Sequence, residues 1–116
     1  AIFAGIRSLL NAVMLNYEDL DSILIAGGFG NFLNISDAIK IGLLPDLPLN
    51  KYKFVGNTSL KGAYLSLVSQ EAYNMAKDIG KKMTYLELSA GNAFMEEFMA
   101  ALFLPHTHLE LFPSST

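Results

Sequence analysis

The stretch Ser22-Ile23-Leu24-Ile25-Ala26-Gly27-Gly28-Phe29-Gly30 decides how this chain is read. A short apolar run enters two adjacent glycines, a phenylalanine and a third glycine, and a helix-forming segment follows. Glycine is favoured where a backbone lies against a ligand, because a Cβ would collide and positive φ is often required. In α/β sheets the turn at the end of a strand is also where nucleotides tend to bind. Glycines serve a plain strand-to-helix turn as well, and a short glycine motif does not separate the two readings.

Working outward, Ile2, Phe3, Ile6, Leu9, Leu10, Val13 and Met14 recur at helical spacing, so residues 1–15 read as an amphipathic helix. Polar Tyr17 to Asp21 connects it to the strand Ser22–Ala26. Because Ile23, Leu24 and Ile25 are all apolar, that strand is expected to be covered on both faces. Past the glycines, Asn34 or Ser36 can cap a short helix running to Lys40, and Gly42 stops it. Pro45 and Pro48 mark an irregular connection.

Lys51 to Val55 reads as a second strand, turned by Gly56-Asn57 into a helix from Thr58 or Ser59 whose buried face is Leu60, Tyr64, Leu67 and Val68. A further helix covers about 70–83, bearing Ala72, Met75, Ala76 and Ile79. Thr84-Tyr85-Leu86-Glu87-Leu88 alternates and is rich in strand formers. Residues 92–103 give a last helix, ended by Pro105, and Leu109, Leu111 and Phe112 are expected to order part of the tail. Strands alternate with helices, so the class is α/β: a short mixed sheet flanked by helices.

Composition narrows the function. With 116 residues this is one domain or a portion of one. An apolar content of 52% against 16% charged residues exceeds what so small a chain can bury, so some apolar surface is expected to face a partner. A net charge of −3 argues against nucleic acid, and Lys77, Lys81 and Lys82 read as the solvated end of a helix. The absence of cysteine excludes disulfides and thiolate-held zinc or iron-sulfur sites in these residues. No apolar run is long enough to span a bilayer as a helix, and no secretory signal is visible. An opening on Ala1, already inside a helical pattern, points to an excised or processed segment.

Longer strings then carry a resemblance. Ile25-Ala26-Gly27-Gly28-Phe29-Gly30-Asn31-Phe32-Leu33-Asn34 and Ala38-Ile39-Lys40-Ile41-Gly42-Leu43-Leu44-Pro45-Asp46 resemble the reductive activators of corrinoid proteins. So do Phe54-Val55-Gly56-Asn57-Thr58-Ser59-Leu60-Lys61-Gly62-Ala63 and Phe98-Met99-Ala100-Ala101-Leu102-Phe103-Leu104-Pro105-His106, and the match runs nearly the whole length. That family lies in the superfamily of acetate and sugar kinases, Hsp70 and actin.

The resemblance implies a partial actin-like, ribonuclease H-like lobe: residues 1–116 as the C-terminal portion of a cytoplasmic ATPase domain. It implies that Leu24 to Gly30 is the adenosine motif and residues 1–15 the helix connecting two lobes. It also implies that ATP hydrolysis drives reduction of cob(II)amide to cob(I)amide in a corrinoid partner. The phosphate hairpins, the acidic groups that hold magnesium and the iron-sulfur module would lie outside these residues, as would the N-terminal lobe. No catalytic residue carries over, and the segment alone is expected to hydrolyse no ATP. Activators of 2-hydroxyacyl-CoA dehydratases, which usually carry cluster-binding cysteines, fit less well. The reading from another functional class is a docking or self-association module with no nucleotide contact of its own.

The residues assigned to nucleotide are Gly27, Gly28, Phe29, Gly30 and Asn57. Gly27 and Gly28 would let the main chain lie along ribose or adenine with N–H groups free to donate. Phe29 offers a ring to the base or packs in the core, and Gly30 serves at least the turn. Gly56-Asn57-Thr58-Ser59 is either a second wall of the cleft or an ordinary cap by Asn57 or Thr58. Lys61 is either a phosphate ligand or solvated. His106 and His108 share one side of an extended segment but show no third metal ligand nearby, so no metal site is assigned. Glu96 and Glu97 read as a solvated edge, and Met75, Met83, Met95 and Met99 as packing residues.

Overall fold

The expected strand forms as β1 (Ile23–Ala26) and pairs with β2 (Tyr52–Gly56) in a two-stranded parallel sheet. The computed structural model describes residues 1–115, and Phe29 by its backbone alone; Thr116, the end of the expected tail, lies outside the described residues. The helices are α1 (Ile2–Ala12), α2 (Ile35–Lys40), α3 (Thr58–Val68), α4 (Gln70–Lys82) and α5 (Ala93–Ala100), giving the α/β class that the alternation predicts. No helix among the described residues is long and apolar enough to cross a membrane.

Each boundary has a local cause. The side-chain oxygen of Asn34 accepts from the Asp37 N–H at 3.2 Å and caps α2, and that of Asn57 accepts from the Leu60 N–H at 3.0 Å and caps α3. Ser69 Oγ accepts from the Ala72 N–H at 3.2 Å, which starts α4 directly after α3. Each satisfies an amide that the first helical turn leaves without a partner. Beyond α2, Gly42 adopts φ +72°, and a Cβ there would stand 1.9 Å from the Pro105 carbonyl oxygen. Conformation and space each demand glycine at that position.

The chain divides into two compact units. The first holds Ala1–Ile23, Leu33–Lys53 and the chain from Glu87 onward. Here α1 packs against α5, and α2 against the 3-10 turn Pro113–Ser115. Phe3 and Phe112 are fully buried with ring centroids 5.0 Å apart, and Ala4, Leu10, Ala38, Ile39, Leu44, Pro45 and Tyr52 are buried as well. Ser114 donates from its N–H at 2.7 Å and its hydroxyl at 2.8 Å to the Asp46 carboxylate, tying the tail down. The Tyr52 hydroxyl donates to the Pro45 carbonyl. Burial, with the nearby Asp46 charge adding to it, pushes the Tyr52 phenol up to about 12.

The second unit holds Leu24–Phe32 and Phe54–Leu86, with α3 packed against α4. No residue of either helix is buried. Several expectations are corrected here. The α3 face Leu60, Tyr64, Leu67 and Val68 is exposed, with Leu67 at 84%. β1 alternates half-buried with exposed residues, and Leu24 is 61% exposed, so the strand is not covered on both faces. Thr84 to Leu88 forms no strand: its residues favour one, but no strand pairs with it among the described residues, and a strand needs a ladder partner for its amides. Met75, Met83, Met95 and Met99 are exposed rather than packed.

Candidate functional site

The two glycine-bearing junctions that are far apart in sequence lie side by side in the second unit. Because β1 and β2 are parallel, both carboxyl ends point the same way, and the Gly27 N–H donates to the Gly56 carbonyl at 2.8 Å. Gly27 has φ +92° and Gly56 φ +69°, so both strands leave the sheet through a left-handed residue that glycine supplies without strain. The sequence weighs Gly56 only as part of a second junction and assigns Asn57 alone from it to the site. The signal of Gly56 is the same as that of Gly27: an apolar run closed by a glycine before a capped helix.

The glycines differ in what surrounds them. At Gly27 and Gly28 a Cβ would meet no atom within 4 Å, so no packing within the chain demands glycine there. At buried Gly30 a Cβ would stand 2.8 Å from Ile25 Cγ2 and 3.3 Å from Phe54 Cδ1. Packing against the sheet therefore accounts for Gly30. The expectation of free N–H donors is narrowed as well, since Gly27 spends its N–H on the strand pair. The ring of Phe29 lies outside the described residues, and the backbone from Gly28 to Phe32 forms a 3-10 turn.

Asn57 and Lys61 are both engaged locally. The Asn57 side-chain oxygen is committed to the α3 cap, the plainer of its two readings. Lys61 reaches back to donate from Nζ to the Val55 carbonyl at 3.2 Å, placing an exposed ammonium beside the end of β2. The result is an exposed sheet edge bearing two left-handed glycines, an open Gly28 and a lysine at its rim. Such an edge can receive a flat group along its backbone and an anion near the lysine.

The first unit carries the remaining candidates. Glu97 is not a solvated edge: packing of α1 on α5 brings it to Arg7, which donates from Nε at 2.9 Å and Nη2 at 3.2 Å to its two oxygens. Burial works against the charge of Arg7, but hydrogen bonding and attraction from Glu97 outweigh it and hold its pKa above the ordinary value. Ninety residues separate this pair, and no periodicity links them. His106 is 98% buried, its Nδ1 accepting from the His108 N–H at 3.0 Å, while His108 is exposed. Among the described residues no three His, Asp or Glu side chains are grouped to hold a metal ion.

Comparison with known proteins joins these observations to a family. The family model described as the C-terminal domain of RACo, the ASKHA domain, matches residues 1–116. The corrinoid activation enzyme RamQ of Eubacterium limosum is 34% identical over 99 residues, covering 85% of this chain and 17% of that protein. The solved structure of a reductive activator for corrinoid, iron-sulfur protein matches 98% of this chain and 18% of that one, with 59% identity and a TM-score of 0.91. The chain therefore spans less than a fifth of the length of these relatives.

Proposed function

Because this chain belongs to the C-terminal ASKHA domains of the RACo family and is part of a corrinoid reductive activator, we propose that its second unit forms the adenosine-side wall of a nucleotide site. The observation that carries this reading is the pairing of Gly27 with Gly56 at the carboxyl edge of a parallel sheet, with open space beside Gly28. A nucleoside laid along that edge meets backbone rather than side chains, and Lys61 adds a positive charge at the rim. Asn57 acts by positioning: its cap fixes the first turn of α3 and with it the turn at Gly56.

In the whole activator, ATP binding and hydrolysis between this wall and an N-terminal lobe would drive reduction of cob(II)amide to cob(I)amide in a corrinoid protein. That reading takes the enzyme to act in the cytoplasm, with electrons arriving through an iron-sulfur domain and magnesium held by residues of the other lobe. The exposed apolar faces of α3 and α4 favour a companion role for the same unit, as a surface that docks against the remainder of the activator or a second copy.

Amide exchange on the intact activator tests the nucleotide reading. Saturating ATP is expected to slow exchange at residues 27–30 and 56–57 and to leave the tail unchanged. Equal exchange at the two glycine turns with and without ATP would remove them from the site.

A further inference from the structure

Among the described residues, His106 is a buried imidazole that takes no part in the proposed nucleotide edge. Its ring packs edge-on against Phe3 of α1 at 5.2 Å between centroids and lies 6.1 Å from Phe112. The hydrogen bond from the His108 N–H requires a lone pair on Nδ1, so the ring proton sits on Nε2, an assignment made from the bond itself. Nε2 is buried and has no hydrogen-bond partner. A second proton has only Nδ1 to occupy, and it would turn the acceptor into a donor facing the His108 N–H.

The carboxylates of Glu97 and Glu110 favour a proton on His106, but burial and the repulsion of His108 and Arg7 outweigh them. From α1 comes Arg7 and from α5 Glu97, but these two are joined by the paired hydrogen bonds already described. From the tail come His108 and Glu110, whose exposed side chains approach each other at 3.3 Å. Tyr17, whose ring stacks 6.2 Å from Phe3, stays neutral because burial pushes its phenol up to about 12.

The geometry points to His106 as a proton-sensitive latch that holds the tail, residues 106–115, on α1 while its imidazole is neutral. Breaking the His106–His108 bond undoes the turn that leads into the 3-10 turn Leu109–Leu111, and that turn delivers Phe112 into the core. Burial, then repulsion from His108, holds the imidazole below its ordinary value. The released tail binds the proton more readily than the docked one. Latching is therefore complete above about pH 6.5 and weakens as the pH falls toward the folded value.

Protection factors for the His108 and Phe112 amides, measured in the intact protein at about pH 7.5 and about pH 5, test this. Proton uptake by the released tail alone is worth at most about thirtyfold in the docking equilibrium over this range, so protection is expected to fall measurably, by up to about thirtyfold. The fall should persist in His108→Gln, which keeps the donating N–H, and vanish in His106→Asn, whose oxygen can accept but does not titrate. An equal fall in His106→Asn, or constant protection in the unsubstituted protein, overturns the latch. Imidazole nitrogen spectra need no variant: His106 is expected as the Nε2–H tautomer, titrating below about 6.5. The Nδ1–H tautomer, or a midpoint at or above that value, would equally overturn it.

Discussion

In the first unit, Phe3 and Phe112 meet at 5.0 Å in a core fed by three separated stretches of chain. In the second, two helices run their full length with no residue buried. Both units contain well-formed helices, but they are held in different ways. The first draws on burial, the Arg7–Glu97 pair and the Ser114 clamp on Asp46. The second draws on its ends: the Asn57 and Ser69 caps, the basic last turn at Lys81 and Lys82, and contact between α3 and α4. Helices of 11 and 13 residues are marginal alone in water, so the second unit is the one expected to gain order from whatever covers its apolar faces.

Substitutions can break or sharpen this contrast. The largest effect is expected from Phe112→Ala, which leaves a cavity beside Phe3 and should cost about 3–5 kcal/mol. Leu67→Ala in α3 removes a comparable apolar side chain from an exposed position and should stay within about 0.5 kcal/mol. Urea unfolding of both variants measures the pair, and similar losses would show that the units share one core.

Next comes the contrast between glycines. Gly42→Ala combines left-handed strain with a collision against the Pro105 carbonyl and should cost about 3 kcal/mol. Gly28→Ala has open space for its methyl and should leave stability unchanged within about 0.5 kcal/mol while weakening ATP binding in the intact activator. A stable Gly42→Ala protein, or unaltered nucleotide affinity in Gly28→Ala, would each break one half of that contrast.

The smallest effect is Asn57→Ala. Loss of the α3 cap is expected to cost about 1 kcal/mol and to appear as faster exchange at the first amides of α3, with α1 and α5 untouched. Loss of protection throughout the chain would mean that the units unfold together.

Much of the fold is legible along the chain because it rests on local signals. Asn34, Asn57 and Gly42 mark helix ends through bonds and dihedral angles that their own neighbours supply, and the structure places the ends there. The apolar run before Gly27 announces a strand on the same grounds. The Thr84–Leu88 alternation misled because it records a preference for pairing without recording whether a partner exists. The Arg7–Glu97 pair was illegible because it depends on α1 meeting α5 across ninety residues. The site divides similarly: Gly27 and Gly28 stand out in sequence, whereas the part played by Gly56 needs the parallel pairing to be seen.

By itself the sequence determined the class, the two strands and the helices that follow them, and the family to which the strings from Ile25 to His106 belong. Those properties arise from residue type and near-neighbour spacing, which a linear chain displays directly. Only the tertiary structure decided which apolar faces are covered, that Gly30 is kept by packing while Gly28 lies open, and that His106 is buried against Phe3. Those outcomes depend on which distant segments meet and exclude water between them, and no local spacing encodes that meeting.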